Sequence, residues 1–258
     1  MDASRVVRVA RRVARIAGLV AVGLVAVAGA VVAAVVIGLN VKYGDTLPDV
    51  SPLHQSPGAG TPGSGTLTYA EIPPLVVRAV VVANDPEFFE RPRSLLSRSV
   101  RNIVSPRDSS NRPRWAGATL TYQLAKLLLW QYDAAEGRPH RQLEMNVREL
   151  MLSERLESRL TKEEVLAAYL GRVYFGHRAY GIVEAAQTYF HKRLAELTVA
   201  EIASLAAIQK NPSRYSPASD PEAARARRDY LLGRMLAAGD ITQEMHDAAV
   251  AEPVVPAQ

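Results

Sequence analysis

The chain has no cysteine. Disulfides, zinc–thiolate sites, iron–sulfur clusters and thiol nucleophiles are thereby excluded. Its five histidines, His54, His140, His177, His191 and His246, show no metal-ligand spacing such as H-x-x-x-H. Sustained strand alternation is missing, and so is any internal repeat. Excess positive charge is scarce beyond the first residues. Arg5, Arg8, Arg11, Arg12 and Arg15 against Asp2 account for +4 of the formal +5, leaving +1 for everything after residue 15. The basic isoelectric point is thus a property of a short tail and does not argue for nucleic acid. What is present, 258 residues with 48% hydrophobic and 22% charged, suffices for one domain with a compact core and rules out a disordered polypeptide.

Ile16 to Leu39 is a run of 24 residues without a charge. As a helix it would be about 36 Å long, enough to cross a hydrocarbon core of about 30 Å. Valine forms helices poorly in water, but in lipid the backbone must bond to itself. The preceding arginines keep residues 1–15 in the cytoplasm, so the rest is exported beyond the inner membrane. A cleaved signal peptide is the competing reading, with small residues at Ala28-Gly29-Ala30 and Ala33-Ala34. The apolar run is long for that. Residues 40–69, rich in Ser, Pro and Gly, read as a linker. A folded domain is expected over 70–250, with 251–258 as a tail. Its patterning is helical: Thr161-Lys162-Glu163-Glu164 and Thr198-Val199-Ala200-Glu201 are capping boxes. Pro221 to Val250 reads as two helices broken at Gly239-Asp240.

Three stretches carry a resemblance. Residues 159–192, RLTKEEVLAAYLGRVYFGHRAYGIVEAAQTYFHK, follow S-K-x-E-I-L-E-x-Y-L-N-x-x-Y-F-G-x-G-x-Y-G-I-x-x-A-A-x-x-Y-F-G-K, and are followed by Leu197-Thr198, Glu201 and Asn211 to Pro217. Ala116 to Lys126, AGATLTYQLAK, is similar to G-G-S-T-x-T-Q-Q-L-x-K. Ile72-Pro73-Pro74 through Asn84-Asp85-Pro86-Glu87-Phe88-Phe89 is similar to I-P followed by E-D-x-x-F-x-x-H. Together they resemble the peptidoglycan glycosyltransferases (transglycosylases) of glycosyltransferase family 51, in the monofunctional biosynthetic form. The resemblance implies an all-α, two-lobed, lysozyme-like domain behind an N-terminal transmembrane helix. It implies lipid II and the nascent glycan strand as partners at the outer face of the cytoplasmic membrane, with inner-membrane lipids and cell-wall synthesis proteins nearby and no nucleic acid.

Such a reaction needs a base for the acceptor hydroxyl and cations for the departing pyrophosphate. The resemblance places the base at Asn84, whose amide cannot take a proton. Arg91 replaces a His, and Met145 and Asn146 replace a basic pair, while Asp85, Phe88, Thr119, Gln123, Lys126 and Glu149 match. Glu87, three residues after Asn84, would share its helix face and is the expected substitute base; the plainer reading is a solvated carboxylate near a helix end. Glu149, with Met145, Leu152 and Leu156 as helical neighbours, suits a proton donor or a modulator of pyrophosphate departure; otherwise it pairs with Arg141 or Arg148. Lys126 is the direct phosphate candidate. Arg141 and Arg148 share a helix face with Met145 and offer a bidentate grip on a diphosphate, or serve as surface charges. A divalent cation (Mg or Mn) is implied by the resemblance, with Asp85 the position to help hold it, although the sequence shows no cage of carboxylates for a metal.

Residues 91–114 hold seven arginines against Asp108, interleaved with Leu95, Leu96, Val100, Ile103 and Val104. This is a basic, membrane-facing segment or a solvated loop. Three readings follow: a divergent active glycosyltransferase; a catalytically impaired member that binds lipid II or nascent glycan as a scaffold or regulator; and a domain that keeps only the fold.

Overall fold

The computed structural model describes residues 34, 35, 37–53, 67–91, 119–138 and 142–254, and the chain divides into two compact units, Met1–Leu47 and Pro48–Gln258. In the first unit, residues 37–43 are helical and lead into a 3-10 turn, Gly44–Thr46, where the Thr46 hydroxyl donates to the Tyr43 carbonyl at 2.7 Å. The tail 1–15 and most of the apolar run Ile16 to Leu39 lie outside the described residues. No helix among the described residues is long and apolar enough to cross a membrane.

The second unit is built from helices: α1 (Pro74–Asn84), α2 (Leu120–Glu136), α3 (Gln142–Arg159), α4 (Lys162–Leu170), α5 (Ile182–Phe190), α6 (Val199–Lys210), α7 (Pro212–Tyr215), α8 (Pro221–Ala237) and α9 (Gln243–Ala251). No strand occurs among the described residues, only an isolated bridge between Tyr174 and Tyr180. Both capping boxes form. The Glu164 amide donates to the Thr161 hydroxyl at 3.1 Å while Glu164 accepts from the Thr161 amide at 2.7 Å. Glu201 and Thr198 repeat this at the head of α6, at 3.2 and 2.8 Å. Each box satisfies two donors that a helix start leaves open. α8 and α9 are separated at Gly239, as the turn residues indicate.

α6 is apolar on all sides, and Ala200, Ile202, Ala203, Leu205, Ala206, Ala207 and Ile208 are buried. A helix of that kind belongs in a core; α1, α5, α7, α8 and α9 pack against it. α2 packs on α3 and α4. The expected linker is partly drawn into this unit: Val50 is 1% exposed and precedes a 3-10 turn at Ser51–Leu53.

The tight loop between α4 and α5 depends on left-handed backbone. Gly181 has φ +90, and a Cβ there would lie 2.7 Å from the Gly171 carbonyl oxygen, so no side chain fits. Arg178, where the related motif has Gly, also has positive φ, 64°. A left-handed conformation costs an L-residue about 1–2 kcal/mol. Arg178→Gly is therefore expected to stabilise the fold by about 1 kcal/mol, once the extra chain entropy of Gly is subtracted. Urea denaturation would read it as a higher midpoint at constant slope.

Candidate active site

α1 stops at Asn84 because Asp85 precedes proline, and a residue before proline disfavours the helical region. Asp85 has φ −155 and ψ 76. Glu87 then falls in a turn, exposed, and does not share a helix face with Asn84. The expectation that Glu87 substitutes for the base assumed a continuing helix, which Asp85-Pro86 ends.

Asp85 is also committed. Its carboxylate, 3% exposed, accepts a fork from Arg91, one arm at 2.9 Å and the other closer, and accepts from the Leu120 amide at 3.2 Å. The arginine that replaces the motif's His is thus buried against the motif's Asp, and together they hold the first turn of α2. Those oxygens do not fit a divalent cation, which would have to displace a guanidinium. No group of three or more His, Asp or Glu among the described residues is arranged to hold a metal.

Asn84 is wired into a chain of neutral groups. Its amide donates to the Val80 carbonyl at 3.0 Å and to Gln209 Oε1 at 2.7 Å. Gln209 Nε2 donates to the Tyr169 hydroxyl, which donates to Gln123 Oε1 at 2.7 Å. Every bond points the same way, from the first motif through α6 and α4 to the second. Burial raises the Tyr169 phenol well above its ordinary value, so it stays a neutral donor. A carboxylate at position 84 would face Gln209 Oε1, acceptor to acceptor, unless both glutamines turned over.

The remaining motif residues sort by burial. Phe88 is fully buried beneath Lys162, whose ammonium lies 4.8 Å from the ring centroid, so the ring is core and not a ligand contact. Lys162 is held by both oxygens of Glu157 at 2.9 Å, and Glu157 also accepts from the Thr121 hydroxyl. Thr119 caps α2, accepting from the Tyr122 amide at 3.1 Å. Arg148 closes a fork on Asp133 at 2.7 and 2.8 Å; both are buried, so this guanidinium ties α3 to α2. Arg141, residues 92–114 and Ala116 to Ala118 lie outside the described residues.

What faces outward is smaller. Lys126 is exposed and has no ion-pair partner among the described residues. One turn before it on the same face of α2 stands Tyr122. The Tyr122 hydroxyl donates to Glu149 Oε2 across to α3. Glu149 is 4% exposed, above Leu152 and Leu156, both fully buried, while Tyr122 is half-buried. Burial, and then the Glu149 bond and its charge, push the Tyr122 phenol up to about 12. In the sequence Tyr122 stands out as a departure from the Gln-Gln of the second motif, Tyr169 as a match to the tyrosine of the third, and Gln209 as the polar residue that follows Ile202, Leu205 and Ala206 at helical spacing; Asp133 and Glu157 carry no local signal.

The described residues of this domain are helical and present an exposed lysine and a phenol-backed carboxylate. The chain matches the family model described as Transglycosylase over residues 58–236. It is 34% identical over 188 residues to penicillin-binding protein 1A of Pseudomonas aeruginosa, covering 73% of this chain and 22% of that protein. Penicillin-binding protein 1A of Escherichia coli is 35% identical over 188 residues, covering 73% and 21%. A Cupriavidus necator protein named as a transglycosylase is 36% identical over 184 residues, covering 71% of this chain and 76% of its own length. The crystal structure of penicillin-binding protein 1A from Haemophilus influenzae is 32% identical over 52% of this chain and 16% of that one, with a TM-score of 0.33, below the level at which a shared overall fold follows. The chain belongs to the transglycosylase family. It spans about a fifth of the length of the penicillin-binding proteins it matches, 22% and 21%.

Proposed function

We propose that the chain is a peptidoglycan glycosyltransferase-like protein whose ligand is lipid II, held by its pyrophosphate at Lys126 and by its sugars against the ring of Tyr122, which Glu149 backs. On this reading the run Ile16 to Leu39 anchors it in the inner membrane with the N-terminus inside, and the arginines of 93–114 meet anionic lipid headgroups, Arg91 being buried on Asp85. The nascent glycan strand and other cell-wall synthesis proteins are its partners. The observation that carries the reading is the buried Glu149 bonded by Tyr122, one helical turn from an exposed lysine. Any turnover bypasses position 84.

A second reading, a member that binds lipid II or nascent glycan without polymerising it, is favoured by Asn84 acting as a donor in a neutral relay. Purified full chain incubated with labelled lipid II separates the two. Polymer on a gel supports the enzyme. Retention of lipid II without polymer supports the binding member. A chain that neither retains nor polymerises lipid II contradicts both.

A further inference from the structure

We infer that Tyr122 is a catalytic residue that works with Glu149 as a two-part base, in place of the carboxylate missing at position 84. The inference rests on the proposed reaction with lipid II. Its ground is a mismatch of access. Glu149 is 4% exposed, too deep for its oxygens to meet a bulky sugar, whereas Tyr122, bonded to it, is only half-buried. Its hydroxyl already donates to Glu149 Oε2, leaving its own lone pairs to accept from an incoming hydroxyl. The other carboxylates of the site are otherwise engaged or misplaced: Asp85 is forked by Arg91, and Glu87 sits in an exposed turn.

The acceptor sugar's hydroxyl oxygen bonds to the donor's anomeric carbon, and the bond from that carbon to the pyrophosphate oxygen breaks, its electron pair leaving with the diphosphate beside Lys126. The acceptor's proton passes to Tyr122 Oη as the proton of Tyr122 passes to Glu149 Oε2. Tyr122 ends as it began, and Glu149 carries the proton. The phenol titrates at about 12, so at neutral pH it relays a proton and does not act as a standing phenolate. The motif's Gln at this position has no hydroxyl through which to pass a proton, which sets Tyr122 apart as a feature of this chain.

The test compares wild type, Tyr122→Phe and the double variant Asn84→Glu/Tyr122→Phe in the full chain, reading lipid II retention and polymer formation. Tyr122→Phe keeps the ring that meets the sugars, so lipid II retention and KM are expected to change by no more than a few-fold, while kcat falls about 10²–10⁴-fold, the usual worth of a general base. The double variant is expected to recover turnover: with Gln209 and Gln123 turned over, Gln209 Nε2 donates to the carboxylate restored at position 84, which acts independently of Tyr122; a merely structural defect would not respond to it. Full turnover by Tyr122→Phe overturns the inference and leaves lipid II as ligand. A loss accompanied by lost retention, or one that Asn84→Glu fails to restore, also overturns it and makes Tyr122 structural. So does a wild type that retains lipid II without polymerising it. A wild type that does not retain lipid II removes the proposed function itself, and the inference with it.

Discussion

Arg91→Ala is expected to cost the second unit about 3–5 kcal/mol, the usual result of removing one partner from a buried ion pair. The side chains of Arg91 and Asp85 are 6% and 3% exposed. Without the guanidinium, Asp85 keeps the Leu120 amide, at 3.2 Å, but loses the positive charge forked onto its carboxylate. The loss therefore spreads beyond one contact, since Asp85 joins the end of α1 to the start of α2. Arg91→Lys should recover only part of it, because an ammonium is a point charge and cannot fork two oxygens. Asp85→Asn/Arg91→Met should fall well short of the single Arg91→Ala cost, because it leaves no charge buried alone. Urea unfolding of the three variants measures this. A loss below about 1 kcal/mol in Arg91→Ala, the range of exposed pairs, would mean that the pair is solvated.

Lys126→Glu is expected to weaken lipid II retention by roughly 100-fold or more. A hydrogen bond to a charged group is worth about 1.5–3 kcal/mol, or roughly ten- to a hundredfold in affinity, and a reversed charge facing a diphosphate adds repulsion. Lys126 is exposed, so fold stability should change by no more than about 0.5 kcal/mol. Titrating the variant into vesicles that contain lipid II, against vesicles of the same lipids without it, isolates the effect. Equal retention by both proteins would remove Lys126 from the site.

The helical scaffold was legible because its signals are local. Thr161 with Glu164, and Thr198 with Glu201, announce their helices within four residues, and both boxes close as read. The end of α1 was equally local, in Asp85-Pro86, yet spacing alone placed Glu87 beside Asn84; the proline decides against it. The site was less legible, because its contacts join residues far apart in sequence. Arg148 reads as a free cation on its own helix until Asp133 of α2 meets it, and Phe88 reads as a motif aromatic until Lys162 covers it. Asn84 reads as a lost base. Its new bond to Gln209, 125 positions away, turns that loss into a structural link between α1 and α6. No periodicity reports such a bond.

The central claim, that a pyrophosphate-linked sugar lipid sits over the face of α2 that carries Tyr122 and Lys126, is tested most directly by cross-linking. Lipid II bearing a photoreactive group on its disaccharide would be irradiated with the full chain in vesicles, and the labelled peptides identified by mass spectrometry. Label on peptides of α2 and α3 spanning Tyr122 to Glu149, displaced by unlabelled lipid II, is the predicted result. Displaceable label confined to α8 and α9, with none on α2 or α3, would contradict it.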